Sequence, residues 1–204
     1  MTPPRFFILL LLLGVPAADT TIHDNCSSSS GNYIVPSKFD NILGKLFFGI
    51  TATAIKNAGY NYTMPGESRD AVFAMMMCYV DTSWALCERC LREAAAVAKQ
   101  VCPLSRQMEA IDDNTCYLKY TDYGFFSVAD LSGTILVQKG DEATDSLALN
   151  SSLWSFPMLA GKAAMSNRMA AEDSLAYTDS SEDNHTMYGL VHCSRDLDAA
   201  ECVA

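Results

Sequence analysis

The apolar residues of one stretch, SKFDNILGKLFFGITATAIKN at positions 37–57, recur at every third or fourth position. This is the spacing of a single helical face, so the pattern predicts an amphipathic helix. Ser37 stands where an N-cap is expected, and Asp40 follows three residues later. The predicted buried face consists of Phe39, Leu43, Leu46, Phe47, Ile50 and Ala54.

A second helix is predicted from about Ser83 to Val101, within a segment that contains LCERCLREAAAVAKQVC. The segment is rich in alanine, and its apolar residues again return at intervals of three and four. The positions that carry this pattern are Leu91, Ala94, Val97, Ala98 and Val101.

Other segments have the character of strands. AVFAMMMCYV is an unbroken apolar run of strand length, and its methionines, Met75–Met77, are interpreted as core filling. NTCYLKYTD alternates apolar and polar residues, and GFFSVADLSGTILVQKG predicts one or two further strands. The order of these elements predicts an α+β fold in which two helices cover an antiparallel sheet.

The N-terminus has the layout of a secretory signal peptide. One Arg precedes an apolar run from Phe6 to Leu13, and small residues follow near Ala17. The alternative, a membrane anchor, is disfavoured because the run is too short to cross about 30 Å of hydrocarbon. We therefore expect cleavage of residues 1–17 and an extracellular protein. Secretion exposes the chain to N-glycosylation, and three sequons predict it at Asn61, Asn150 and Asn184.

The composition narrows the possible partners. The net charge is −10, and loss of Arg5 with the signal peptide would make it −11. This charge argues against binding to nucleic acid, which needs clustered Lys and Arg. The eight cysteines are an even number, which in a secreted chain indicates disulfides.

The chain repeats itself with an offset of 115 residues. Cys78 coincides with Cys193 and Cys87 with Cys202, and several aromatic, acidic and Tyr-Thr positions coincide in the same frame. The position equivalent to Cys90 would be beyond the last residue. We therefore predict a complete unit at 24–140, a linker at 141–147, and a partial second copy at 148–204. A long loop within one domain is the alternative for the polar linker.

The Cys87-Glu-Arg-Cys90 motif could be a redox dithiol, half of a zinc site, or part of a disulfide framework. A redox pair is expected at a helix N-terminus with characteristic neighbours, which are missing here. Zinc needs a second closely spaced pair, whereas Cys102 and Cys116 are far apart in sequence. Disulfides are the favoured interpretation, with no metal and no cofactor.

Nothing else in the sequence requires an enzyme. Surface positions are expected for His23, His185 and His192, because none has ligand spacing to the CxxC motif and His192 cannot face its neighbour Cys193. The carboxylate pairs Asp112-Asp113 and Glu182-Asp183 are interpreted as solvated loops rather than catalytic dyads.

The C-x8-C-x2-C spacing of Cys78, Cys87 and Cys90, followed by Cys102 and CYLKYTDYGFF, resembles the plant ginkbilobin-homologous domain, also called the salt-stress-response/antifungal domain. The second copy, TMYGLVHCSRDLDAAEC, resembles the same motif up to its second cysteine. The resemblance implies two helices on a five-stranded antiparallel sheet. It also implies the disulfide pairs Cys26–Cys102, Cys78–Cys87 and Cys90–Cys116, and leaves Cys193–Cys202 for the partial copy.

Some members of the family are antifungal lectins that bind mannose. The resemblance assigns their sugar-binding positions to Ser27, Ala110 and Thr121, or Glu109 in place of Ala110, and none of these carries the expected residue. Mannose binding by that route is therefore not expected.

Three functions remain as hypotheses. The first is a secreted, non-enzymatic interaction module of the apoplast with a role in defence or stress. The others are a carbohydrate-binding antifungal protein with a different site, and a secreted thiol-disulfide oxidoreductase. The corresponding partners are receptor ectodomains or cell-wall and microbial glycans. The second copy is expected to expose an apolar face formed by Met158, Ala164, Met169, Met187 and Leu190.

Overall fold

The computed structural model describes residues 22–26, 31–112, 115–129 and 157–203. The first three ranges form what we call the five-stranded unit, and residues 157–203 form the hairpin unit. The predicted signal peptide and the predicted linker at 141–147 lie outside the described residues.

The five-stranded unit has two helices on one antiparallel sheet. The strands lie in the order β1-β4-β5-β3-β2, so that β1 and β2 form the edges. The α+β class and the two-helix architecture expected from the sequence are confirmed. In chain order the elements are β1 (Ile22–Asn25), α1 (Lys38–Lys56), β2 (Tyr60–Thr63), β3 (Phe73–Cys78), α2 (Trp84–Val101), β4 (Met108–Asp112) and β5 (Cys116–Thr121).

Both helices follow the periodicity of the sequence. The Ser37 hydroxyl accepts a hydrogen bond from the backbone N–H of Asp40 at 3.1 Å, so the predicted N-cap of α1 is confirmed. All six apolar residues of the predicted face of α1 are buried. On α2, Leu91, Ala94 and Ala98 are buried against the same side of the sheet.

The sheet is covered on both faces, which explains the run of three methionines in β3. Successive strand residues point to opposite faces, so Met76 joins the core under the helices while Met75 and Met77 face the other way. There they meet Tyr60 and Phe125 in a second apolar cluster. All three methionines are buried, and their interpretation as core filling is confirmed.

The prediction of a strand directly after β5 is wrong for its described part. Residues 124–129 form a loop, and the remainder of the predicted segment lies outside the described residues. Phe125 and Phe126 explain the loop. The centroids of their rings are 4.6 Å apart, and the ring of Phe126 packs on those of Tyr62 and Phe73 in the sheet. These aromatic residues serve as a cover for the sheet rather than as one of its strands.

The hairpin unit has the same order of elements as part of the five-stranded unit. Its elements are α3 (Pro157–Ala164), β6 (Ala170–Thr178), β7 (Asn184–His192) and the one-turn helix α4 (Ala199–Cys202). Helix, strand, strand and a cysteine-bearing helix therefore follow one another in both units. The β6–β7 turn is held by the Asp179 carboxylate, which accepts the backbone N–H groups of Ser181 and Asp183 at 2.9 Å each.

The β2–β3 pair of the five-stranded unit and the β6–β7 pair of the hairpin unit differ in strand register. Tyr62 on β2 lies opposite Met75 on β3. The 115-residue frame would place Tyr177 opposite Leu190, whereas the structure places it opposite His185. This offset of an odd number of residues moves the side chains of β6 to the opposite face compared with β2.

Candidate functional site

All eight cysteines are paired, and the pairs are those that the family resemblance implied. Cys87 and Cys90 lie three residues apart on one face of α2, where both are buried. Their partners, Cys78 at the end of β3 and Cys116 at the start of β5, lie directly opposite each other in the sheet. The CxxC motif thus fastens one helix to two neighbouring strands. The disulfides are Cys26–Cys102, Cys78–Cys87, Cys90–Cys116 and Cys193–Cys202.

A cavity of about 290 Å³ lies between the two units. We call the contact between the units the seam, and this cavity the seam cleft. From the five-stranded unit it is lined by the β3–α2 connection and by the Cys78–Cys87 disulfide, and from the hairpin unit by the α3–β6 connection and the segment after β7. Its polar and aromatic lining residues are Tyr79, Thr82, Trp84, Asn167, Arg168 and Arg195.

Two arginines of the hairpin unit shape the seam cleft by binding the five-stranded unit. The guanidinium of Arg168 donates to the carbonyl of Val80 at 2.9 Å, and that of Arg195 donates to the carbonyl of Ala58 at 3.3 Å. Arg195 also stacks over the ring of Tyr60 at 4.7 Å, a cation–π contact. Each arginine therefore binds across the seam, and each also lines the seam cleft.

Backbone groups of the loop after β5 extend the same seam. The Asp196 carboxylate accepts the N–H of Ser127 at 2.8 Å, and the Glu201 carboxylate accepts the N–H of Ala129 at 2.8 Å. Hydrogen bonds to a charged acceptor are stronger than those between neutral groups. The loop that replaced the predicted strand is thus also a docking site for the hairpin unit.

His192 does not have the surface position that the sequence predicted. It ends β7 at the seam, where its ring meets the ring of Tyr79 edge to face at 5.6 Å. Both of its ring nitrogens are buried and have no hydrogen-bond partner within the described ranges. The prediction was wrong because strand alternation shows only that His192 faces away from Cys193, and says nothing of the second unit packed there.

The phenols at the seam stay neutral near physiological pH. Burial raises the pKa of Tyr79, and the nearby carboxylates of Glu109 and Asp81 raise it further. Burial is also the main cause that raises the pKa of Tyr60. Neutral tyrosines, an indole and two guanidinium groups form a surface suited to binding rather than to acid–base catalysis.

The other histidines have no catalytic or metal-binding environment that the structure describes. His185 is half-exposed and bonds the Asp179 carboxylate at 2.9 Å, and the side chain of His23 is not described. Within 22–26, 31–112, 115–129 and 157–203, no three His, Cys, Asp or Glu residues could hold a metal ion. Asp112, expected in a loop, ends β4, whereas Glu182 lies in the β6–β7 turn as expected.

The positions assigned to mannose binding are unsuited to a sugar where they are described. Ala110 and Thr121 are 1% and 2% exposed, and the Thr121 hydroxyl donates to the carbonyl of Tyr123. Glu109 accepts a hydrogen bond from the Tyr117 hydroxyl at 2.9 Å. Ser27 lies outside the described residues.

Two of the three predicted glycosylation sites can be placed. Asn61 lies on the edge strand β2, and Asn184 begins β7 with its side chain exposed. Asn150 lies outside the described residues. Glycosylation at all three remains a prediction.

Sequence reasoning did not find the seam cleft. Trp84, 48% exposed, lies within the CYVDTSWALCERC segment, in which the predictions rest on the cysteines alone. Arg168 and Arg195 lie more than eighty residues away in sequence, and no spacing pattern links them to Trp84. The only available signal was a large aromatic residue beside a disulfide cysteine.

The fold and its disulfides define a class: an extracellular cysteine-rich protein in which a five-stranded unit with three disulfides precedes a hairpin unit with one. Residues 25–123 match the family model described as salt stress response/antifungal. These residues therefore belong to this family, and the protein is secreted and extracellular. No described helix is long and apolar enough to cross a membrane.

Curated relatives and solved structures extend the similarity beyond the matched domain. The chain is 26% identical over 200 residues to cysteine-rich repeat secretory proteins 42 and 43 of Arabidopsis thaliana, which covers 95% of this chain and 78% of each relative. The fold is similar to the tandem DUF26 ectodomain of the cysteine-rich receptor-like protein PDLP8 of Arabidopsis thaliana. The TM-score is 0.68 at 16% identity, covering 89% of this chain and 81% of that one. The corresponding ectodomain of PDLP5 gives a TM-score of 0.65 at 18% identity, covering 91% and 84%.

Proposed function

We propose that the protein is a non-enzymatic interaction module of the apoplast, active in defence or stress responses, which binds the ectodomain of another protein through the seam cleft. The observation that carries this proposal is the convergence of Trp84, Arg168 and Arg195 on one cavity between the units. Trp, Tyr and Arg are the residues that most often dominate the binding energy of protein interfaces.

The charges of the seam cleft suggest the chemistry of the partner. Two guanidinium groups stand at the cleft of a protein whose net charge is −10. A complementary partner would present a carboxylate to Arg168 or Arg195, with an apolar side chain against Trp84. Such a partner would be steered locally by the arginines although the protein as a whole is acidic.

The cysteine chemistry supports a binding role over an oxidoreductase. A thiol-disulfide exchange enzyme needs a thiolate that attacks, and here Cys87 and Cys90 are each joined to a strand cysteine. Both sulfurs also belong to buried residues of α2. The CxxC motif is therefore assigned to structure in this proposal.

The similarity to receptor-like ectodomains is the reason to commit to a protein partner rather than to a glycan. The carbohydrate-binding alternative has no support from the described family positions, since Ala110 and Thr121 are buried. A sugar bound at Trp84 remains an outcome that the experiment below can reveal.

The test is a binding screen with the secreted, glycosylated full chain against an ectodomain collection and a glycan array. The decisive variant is Trp84→Ala, and its matched control is Leu86→Ala, which removes another exposed apolar residue of the first turn of α2 outside the cleft. We expect an ectodomain partner whose affinity falls at least about tenfold with Trp84→Ala and is unchanged by Leu86→Ala. Equal binding by both variants, or binding to glycans alone, would overturn the proposal.

A further inference from the structure

His192 is a histidine at the seam whose surroundings disfavour its protonated form. Both ring nitrogens are buried and lack hydrogen-bond partners among the described residues. Buried polar groups in native proteins almost always have a hydrogen-bond partner, so two ring nitrogens without one call for an explanation. The ring itself is held edge to face against Tyr79, across the boundary between the two units.

The charged groups around His192 come from both units. Tyr79 and Asp81 face it from the five-stranded unit, and Arg168 and Arg195 from the hairpin unit. Burial lowers the pKa of His192, Arg195 and Arg168 lower it further, and Asp81 acts in the opposite direction. The same two arginines line the seam cleft.

We propose that His192 is a proton-operated latch: its neutral ring holds the hairpin unit on the five-stranded unit, and its protonation releases the seam and opens the cleft. The ring would then act as a pH sensor for the accessibility of Tyr79, Trp84 and the two arginines.

The geometry makes the charged ring unfavourable in the docked state. An imidazolium carries two N–H donors, and in the part of the chain that the structure describes neither has an acceptor. Its charge would be desolvated and would lie near two guanidinium groups. Release of the hairpin unit gives the ring access to water, and Asp81 is exposed and offers only a partial counter-charge.

The sign of the pH dependence follows from linkage. The ordinary pKa of a histidine is 6.5, and in the docked state that of His192 is lower. Docking is therefore strongest above about pH 6.5 and weakens as the pH falls, because the released state binds a proton that the docked state does not. The ratio of released to docked molecules should rise by up to about tenfold for each pH unit until the docked pKa is reached.

The consequence for ligand binding rests on the proposed function of the seam cleft, whereas release of the seam can be measured without any ligand. Two backbone amides report on it directly, since the N–H groups of Ser127 and Ala129 are bonded to Asp196 and Glu201 across the seam. Hydrogen–deuterium exchange of these amides follows the fraction of released molecules.

The experiment compares the wild-type chain with His192→Phe, which keeps an aromatic ring against Tyr79 but cannot be protonated. The matched control is His185→Phe, which removes the histidine of the same strand that bonds Asp179. Comparing proteins at the same pH removes the intrinsic pH dependence of exchange. We expect the Ser127 and Ala129 amides of the wild type to exchange about tenfold faster than those of His192→Phe at about pH 5, and equally fast at about pH 7.5. His185→Phe should behave as the wild type.

A second measurement keeps the proposal testable if His192→Phe fails to fold. The ring protons of His192 in the wild type, followed by NMR, should titrate below pH 6.5. Titration at or above 6.5, or equal exchange in the wild type and His192→Phe at every pH, would overturn the latch. If amide exchange did not depend on pH but partner binding still required Trp84, only the latch would be refuted. If exchange depended on pH as expected but binding did not require Trp84, only the proposed function would be refuted.

Discussion

The five-stranded unit and the hairpin unit share one plan but differ in how much of it is packed. In the five-stranded unit both faces of the sheet are covered, and three disulfides join α2 and its C-cap to the ends of β1, β3 and β5. The hairpin unit has two strands and one disulfide. Its buried residues, among those described, are Leu159, Ala163 and Cys193. A two-stranded sheet is marginal in water, so this unit depends on its disulfide and on the seam.

The difference is also visible on the surface. Met158 and Tyr188 of the hairpin unit are 75% and 80% exposed, and Leu190 is exposed as the sequence predicted. Ala164, Met169 and Met187 of the same predicted face are half-buried. A strongly packed unit and a weakly packed one therefore meet at the seam cleft. We expect the weakly packed unit to undock without unfolding of the strongly packed one.

The largest expected effect comes from the longest disulfide. Replacing both Cys26 and Cys102 by Ser opens a loop with a sequence separation of 76. The chain-entropy relation gives a loss of about 4.5 kcal/mol in the free energy of unfolding, against about 2.7 kcal/mol for the Cys193→Ser/Cys202→Ser pair. Denaturant unfolding of both double variants measures this. If the hairpin pair destabilised the five-stranded unit as much, the two units would be one cooperative structure and the comparison would fail.

A smaller effect is expected from core truncation. Leu43→Ala creates a cavity beneath α1, where the side chain is fully buried, and should lower the free energy of unfolding by about 3 kcal/mol. Leu159→Ala removes a buried apolar side chain of α3 and should shift that transition by less than about 0.5 kcal/mol. Its effect should be confined to faster amide exchange in β6 and β7. An equal shift of the main transition by both variants would contradict the comparison.

The smallest effect concerns the seam itself. Arg195→Ala removes the cation–π contact with Tyr60 and the hydrogen bond to Ala58, and should weaken docking by about 1 kcal/mol. The exchange of the Ser127 and Ala129 amides at neutral pH measures this change. Arg92→Ala is the control, because Arg92 pairs with Glu88 on the exposed side of α2. Should both variants leave the exchange rates unaltered, Arg195 would contribute nothing to docking.

The sequence predicted the elements that depend on local pattern. Both helices, the Ser37 cap, β3 and β5 follow from periodicity and capping chemistry, which act over a few residues. β1, β2 and β4 were not predicted, because strands of four or five residues are too short to show an alternation. The disulfide pairing came from a family resemblance, since six cysteines alone allow 15 connectivities.

Tertiary structure decided what depends on distant residues. The odd shift of β6 relative to β2 follows the five-residue turn around Asp179, although the two copies keep the same 115-residue frame in sequence. Phe125 and Phe126 became a cover because an exposed sheet face was available to them.

By itself the sequence indicated the compartment, the fold class and the family resemblance, because the pattern of the predicted signal peptide, helical periodicity and cysteine spacing are all properties of short segments. Only the tertiary structure placed Trp84 beside Arg168 and Arg195, and His192 against Tyr79. These groups come together because two units dock. The free energy of docking depends on complementary surfaces, and their complementarity does not appear as a periodic pattern in the sequence.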